Sequence, residues 1–277
     1  MKSTLELCGS RLEILIDDQW EFSDLIQECF KIWIDFENKY SRFISWNFLS
    51  ELNKNKISKI DKEFLSIIQL CLKTSHITDW YFDITVQPIL ENLGYWIEKN
   101  ENINYNIWYK NIIISDTSIE LKNNISIDLW SVWKWYIVDK IYNVLDSKVD
   151  KFSINFWWDI RVKSEQEVKL EDPNDTEKII WEVTLINSSI SSSSWNKRIF
   201  WKSHHLIDPK NKISQNNIEI VYITHKLAIF SDIFATALFV SPLDKSLDIL
   251  ASIKWLEWMI ITKAWKIYKS KWFDFKN

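Results

Sequence analysis

Glycine is almost missing from this chain: 2 residues in 277. At the usual share of about 7%, a globular protein of this length holds roughly 19. Turns that need a positive φ or a close backbone approach have nearly no residue suited to them. Cysteine is scarce as well. Cys8, Cys29 and Cys71 include no CxxC pair, which argues against a disulfide framework or a zinc site. Cys29 and Cys71 fall on apolar helix positions and should simply pack. No run reaches the ~18 apolar residues of a membrane span. The opening MKSTLELCGSRLEILID has no apolar stretch before Cys8. It reads as neither a secretory nor a lipoprotein signal and points to the cytoplasm, while a start further upstream would allow export. There is no basic surplus: the net charge is −4, against a dedicated nucleic-acid binder.

Tryptophan is in excess, with 18 residues. Its indoles sit where a chain turns: NFWWDIRV (155–162), DLWSVWKWY (128–136) and TDWYF (78–82). A bulky side chain does not tolerate the left-handed backbone such turns use. One cause accounts for both anomalies if most of these tryptophans are glycines mis-rendered in translation. UGA is a stop in the standard code, Trp in one variant code and Gly in another. The abundance of Ile, Lys and Asn suits AT-rich coding. A truly Trp-rich surface, such as a carbohydrate binder's, explains the indoles but leaves the missing glycines unexplained.

The remaining composition, 47% apolar and 26% charged, is that of a globular chain with ample room for a core. Residues 11–17 alternate as a strand. Apolar residues from Phe22 to Tyr40 recur at helical spacing, and 61–74 makes a second helix with Asp61 as N-cap. Residues 125–129 read as a short buried strand leading through a turn into a helix over 134–147. Strands follow at 152–156, 179–187 and 218–224, helices at 229–239 and 243–253, and a hairpin at 259–263 and 266–270. Residues 164–177 read as a charged loop, and SSISSSSW (188–195) as flexible punctuation. Strands and helices alternate without a clear linker, which predicts a single α/β or α+β domain.

Candidate chemistry lies at the turns. With W read as G, three of them become IDLGSVGKGYIVDK, INFGGDIRV and TDGYFDITVQP. A bare turn leading into a helix is a phosphate-binding device, and Lys134 adds positive charge. Asp232 and Thr236 are i and i+4, on one helix face, and offer hard oxygens suited to Mg²⁺. Asp near a helix start is more often a cap, and such a Thr more often packs. HHLIDP (204–209) supplies a histidine that would serve as a general base beside a phosphate site, although a lone His in such a setting is usually structural.

Taken in order, SRFISWNFLSELN (41–53), TDWYFDITVQPILENLGYW (78–96), IDLWSVWKWYIVDKI (127–141), NFWWDIRV, SSWNKR (193–198), SHHLIDP (203–209) and SDIFATALFV (231–240) resemble the ApbE family, the FAD:protein FMN transferases. The resemblance covers nearly the whole chain. It implies one α+β domain over 1–277, with a twisted, mainly antiparallel, T-fold-like sheet flanked by helices. It also implies Mg²⁺ as cofactor and FAD as substrate, whose pyrophosphate is cut. FMN then passes to a Ser or Thr hydroxyl of an acceptor protein and AMP is released. Some members hydrolyse FAD instead, and a non-enzymatic flavin binder is a third reading.

Carried over by position, Cys8 stands where the family usually has Met, and Phe43 where an aromatic flanks the flavin. Tyr81, Phe82 and Asp83 stand for the A-F-D cofactor contact. Asp128 and Lys134 match the D and K of D-L-G-G-x-A-K-G. Trp133 stands for the alanine whose carbonyl meets the metal. Asp232 and Thr236 match the metal-binding pair, and His205 matches the H of H-I-I-D-P and is the candidate base; His204 has no family counterpart. Glycine is implied at Trp46, Trp80, Trp96, Trp130, Trp133, Trp135, Trp157, Trp158, Trp195 and Trp201. Turn-like settings extend this to Trp255, Trp258, Trp265 and Trp272. Reassigning these fourteen leaves 16 Gly and 4 Trp, an ordinary composition. Trp181 is expected to be a genuine indole, and Trp20, Trp33 and Trp108 stay open.

Overall fold

The alternation of RLEILI places Leu12, Ile14 and Ile16 on one buried face, as a half-buried strand requires. The computed structural model describes residues 1–7, 10–17, 22–95, 106–157, 159–201 and 203–276. Cys8, Trp20, Trp96 and Trp158 lie outside these.

Eight strands form the main sheet: β1 (Lys2–Leu7), β2 (Ser10–Ile16), β3 (Phe152–Phe156), β4 (Asp159–Val162), β5 (Ser188–Ser194), β6 (Ile218–His225), β7 (Glu257–Thr262) and β8 (Ile267–Lys269). Their spatial order is their chain order, and every neighbouring pair is antiparallel. The fold is therefore α+β, as expected. Among the described residues, the segment between β2 and β3 holds five α-helices: α1 (Ser23–Tyr40), α2 (Phe48–Asn55), α3 (Lys62–Ile77), α4 (Gln87–Asn92) and α5 (Trp133–Asp146). Two more, α6 (Ala228–Val240) and α7 (Leu243–Ser252), lie between β6 and β7. Helix α3 is capped as predicted, with Asp61 accepting from the Phe64 N–H at 2.8 Å. No helix among the described residues is long and apolar enough to cross a membrane.

The core has two sides. Apolar residues of α1, α5 and α6 join Leu12, Ile14, Ile154 and Phe156 in the larger cluster. The opposite cluster places Val168, Leu170, Val183 and Leu185 of a hairpin (Gln166–Asp172 with Asp175–Leu185) against Val162, Ile190, Ile220 and Met259.

Three expectations are corrected. The charged stretch 164–177 is mostly that hairpin. Its Glu and Lys face solvent while Val168 and Leu170, paired with Val183 and Trp181, face inward. The serine run is a central strand, β5, between β4 and β6. Ser189, Ser191 and Ser193 are all buried. Two of these hydroxyls meet α6 directly: Ser189 Oγ lies 2.8 Å from Ser231 Oγ, and Ser193 Oγ lies 3.4 Å from Thr236 Oγ1. Small side chains let the helix cross close to the strand. Finally, 125–129 joins no ladder among the described residues. The Asn53 amide takes a partner strand's role, accepting from the Ile127 N–H and donating to the Ile127 carbonyl, both at 2.8 Å.

Candidate active site

Helix α6 lies over β5 and turns Asp232 and Thr236 toward a cleft of about 290 Å³. Four other segments close around it. After α3 the chain turns through Asp79 and Trp80, both left-handed with φ of 47° and 67°, and presents Tyr81 and Phe82. Asp83 fixes this loop by accepting from the Thr85 N–H at 2.8 Å and the Tyr109 N–H at 3.1 Å. The second segment is tied to the first, since the Asp128 N–H donates to the Ile84 carbonyl at 2.8 Å. Asp128 in turn accepts from the Trp130 N–H at 3.0 Å, and Lys134 follows in the first turn of α5. The third is the β3–β4 turn, where Trp157 has φ 58° and Asp159 accepts from the Ser192 N–H at 3.0 Å. The fourth carries Arg198 and His205.

Eight of the residues implied by sequence therefore meet in one place: Tyr81, Phe82, Asp83, Asp128, Lys134, His205, Asp232 and Thr236. Phe43 does not line the cleft; it is half exposed, its ring 6.0 Å from that of Trp130, which does. Trp133, expected to offer its backbone carbonyl, is absent from the cleft lining although its neighbours Lys134 and Trp135 are part of it. It is the first residue of α5, and its ring packs in the core 5.6 Å from Phe156 and 6.0 Å from Trp33. Ser131, earlier in the same turn, lines the cleft instead. Cys8 lies outside the described residues. His204 points inward, its Nε2 2.7 Å from the Gln215 carbonyl oxygen, and serves structure.

The cleft also holds residues given no role from sequence: Arg42, Ser131, Asp159, Ser193 and Arg198. Asp159 lies within the quoted NFWWDIRV and Arg198 within SSWNKR, so the motifs contained them, but only the fold aims them at the site. Arg42 was hidden because its partners are remote in sequence: its Nε lies 3.6 Å from Asp128 and its Nη1 3.4 Å from Glu91.

Charges in the cleft are poised rather than neutralised. Desolvation pushes Asp232 up to about 7, with Lys134 opposing. Desolvation and the charge of Asp232 raise Asp159 well above the usual carboxylate range. Desolvation and the nearby Arg198 bring Lys134 down to about 7. His205 is held well below the usual histidine range by desolvation, then by the charges of Arg198, His204 and Lys134. Its Nδ1 is buried with no partner among the described residues, so the ring is neutral with a nitrogen available for a proton. Two crowded carboxylates with adjoining hydroxyls form a hard-oxygen set that a divalent cation would relieve. No group of three or more His, Cys, Asp or Glu placed to hold a metal ion occurs among the described residues, so such a cation would also draw on hydroxyl or backbone oxygens.

An antiparallel sheet crossed by a helix that carries an Asp/Thr pair, facing a lysine, an arginine and a neutral histidine, gathers groups able to meet both a cation and an anion in one cleft. The chain belongs to the ApbE family, whose model matches residues 8–260. It is similar to a protein of Buchnera aphidicola subsp. Schizaphis graminum named FAD:protein FMN transferase, 25% identical over 228 residues, covering 73% of this chain and 64% of that protein. A protein of the same name from Haemophilus influenzae is 23% identical over 248 residues, covering 78% and 72%. Among solved structures, the ApbE protein of Thermotoga maritima superposes with a TM-score of 0.86 at 20% identity, over 98% of this chain and 97% of that one. The flavin transferase ApbE of Vibrio cholerae gives 0.83 at 16% identity, over 99% and 97%. These two likenesses establish the fold.

Proposed function

We propose that the chain is a Mg²⁺-dependent FAD:protein FMN transferase. The observation that carries this is the convergence of Asp128, Lys134, His205, Asp232 and Thr236 in one cleft, in a chain of the ApbE family. The acceptor's Ser or Thr oxygen bonds to the FMN phosphorus, the bond from that phosphorus to the bridging oxygen breaks, and AMP leaves with that oxygen. The hydroxyl proton passes to Nδ1 of His205. The neutral ring can take it, and an anion beside Arg198 and Lys134 offsets the two charges that weaken its basicity. Asp232 and Thr236 would hold the metal, with Asp159 alongside. Bound there, Mg²⁺ supplies positive charge to phosphate oxygens. Lys134 steadies the charge that grows on the leaving group, and Tyr81 and Phe82, which line the cleft, with Phe43 beside Trp130, would flank the flavin ring. Electrostatics and positioning supply the rate, so no covalent enzyme nucleophile is needed.

We further propose that the fourteen tryptophans named above are glycines in the natural protein. Four of them, Trp80, Trp157, Trp201 and Trp265, have φ of 67°, 58°, 50° and 56°, in the region glycine occupies at little cost. Trp46, Trp201 and Trp272 leave 83%, 83% and 72% of their surface exposed, which fits a side chain without a packing role. Trp33, fully buried in α1 with its ring 4.9 Å from Phe156, is not among the fourteen. Trp133 and Trp135 are buried and helical, so the backbone argument does not reach them.

Tryptic mass spectrometry of protein from its native source tests the glycine reading directly: Gly at 157 and 201 supports it, and Trp at both removes it. The activity is tested by Mg²⁺-dependent loss of FAD, which Asp232→Ala should abolish. A variant that consumes FAD as fast as its parent would refute the assignment. Release of free FMN without acceptor modification would mark a hydrolase on the same scaffold.

A further inference from the structure

Two cations in the cleft share the same two aromatic rings. Lys134 Nζ lies 4.6 Å from the Trp157 ring centre and 5.0 Å from that of Trp130. Arg198 Cζ lies 4.4 Å and 5.1 Å from the same two rings. Arg198 is otherwise held by Tyr95, whose hydroxyl accepts from its Nη1 at 3.3 Å. No carboxylate pairs with Arg198 among the described residues, although Asp159 and Asp232 flank Lys134. Like charges gathered in a desolvated cleft repel one another, and the repulsion is tolerable only where something negative or π-rich lies between them. Trp157 is the positive-φ residue of the β3–β4 turn and is read above as glycine. With glycine at 130 and 157 both rings vanish. The two cations then face a shared space bordered by bare backbone.

We propose that Arg198 is the second arm of a diphosphate clamp, gripping one phosphate of a dinucleotide while Lys134 holds the other, in the space the Trp157 ring fills. This rests on the FAD reading and deepens it by giving Arg198 a role. A guanidinium presents a planar fork of donors matched to phosphate oxygens, whereas an ammonium acts as a point charge. The two arms therefore differ in kind: Arg198 sets orientation and Lys134 adds charge. The same residue neighbours the candidate base: His205 feels both the charge and the backbone of Arg198. Phosphate grip and base placement thus belong to one short segment.

The test uses the full chain with glycine at the fourteen positions, the natural sequence under the reading above. Inorganic pyrophosphate and riboflavin are titrated separately, by calorimetry, into this parent and into Arg198→Ala and Arg198→Lys. Each variant is first checked for an unchanged melting transition, and Arg198→Gln replaces any that fails. Pyrophosphate affinity is expected to fall at least about tenfold in Arg198→Ala and about threefold in Arg198→Lys, which keeps the charge but loses the fork. Riboflavin affinity should stay within about twofold throughout, since that ligand carries no phosphate to lose. Unchanged pyrophosphate affinity in a folded Arg198→Ala overturns the clamp even where riboflavin binds well. Arg198-dependent pyrophosphate binding in a chain that ignores riboflavin keeps the clamp and removes the flavin reading. A parent that binds neither ligand overturns both.

Discussion

Arg161 of β4 is tied to Asp139 of α5 by a buried ion pair, and Asp139 spends its remaining acceptor capacity on another element. Its two oxygens accept from the Ala228 and Ile229 N–H groups at 2.9 Å and 3.1 Å, so a residue of α5 caps α6, which has no side-chain cap of its own. The Arg161 guanidinium also lies 3.5 Å from the centre of the Tyr142 ring. The Arg of NFWWDIRV is therefore a strut that sets the height of the helix bearing Asp232 and Thr236. Removing one partner strands the other charge, which costs about 3–5 kcal/mol. Arg161→Ala and Asp139→Ala should each lower stability by that order in urea unfolding. The double variant should lose clearly less than the two losses combined; full additivity would mean the pair is not coupled.

The serine face of β5 makes a second prediction. Ser191 is buried, on the same strand face as the Ser189 and Ser193 that meet α6. Ser191→Val adds bulk where α6 and β5 approach and should cost about 1–3 kcal/mol by overpacking. Ser188→Val, at the half-buried start of the strand, should change stability by less than about 0.5 kcal/mol. Equal melting temperatures for the two variants would contradict the close crossing.

Asp232 separates function from stability. Its carboxylate is desolvated and sits near Asp159, so Asp232→Asn relieves repulsion in the ligand-free chain. The melting temperature should hold or rise, while turnover of FAD should fall roughly 10²–10³-fold for want of the metal's charge. A variant that melts much earlier would assign Asp232 a structural role instead.

The pH dependence follows from the same groups. In the ligand-free cleft Asp232 titrates at about 7, so below that value a cation must displace a proton to bind. Mg²⁺ affinity should fall up to about tenfold per pH unit below 7 and level off above it. Lys134, also brought to about 7, behaves oppositely: above 7 it is mostly neutral, and a phosphate anion must draw a proton onto it. Calorimetry in buffers of different ionisation heat should show proton release with Mg²⁺ at pH 6 and proton uptake with pyrophosphate at pH 8. Proton-silent binding in both cases would contradict these assignments.

Much of the architecture was legible because hydrophobic spacing survives whatever stands at the turns. Helices α1, α3, α5, α6 and α7 and strands β2, β3, β6, β7 and β8 lie close to their predicted places. The errors share a cause. The serine strand lacks apolar alternation because its inner face meets a helix through hydroxyls rather than methyls. The 166–185 hairpin hides two inward residues, Val168 and Leu170, among Glu and Lys. Residues 125–129 look like a strand, but their partner is one side chain, Asn53, which no local pattern reveals. At the site, motif order singled out Asp128, Lys134, His205, Asp232 and Thr236, which the fold brings to one cleft. Arg198 and Asp159 acquire meaning only when the fold sets them beside Lys134.

The most direct test of the account mixes the chain carrying glycine at the fourteen positions with FAD, Mg²⁺ and a peptide bearing a Ser/Thr flavinylation motif. AMP release and peptide mass are then followed together. The account predicts AMP and FMN-modified peptide in equal amounts, with neither formed when Mg²⁺ is withheld. Intact FAD and unmodified peptide, in a chain whose melting transition shows it folded, would contradict it.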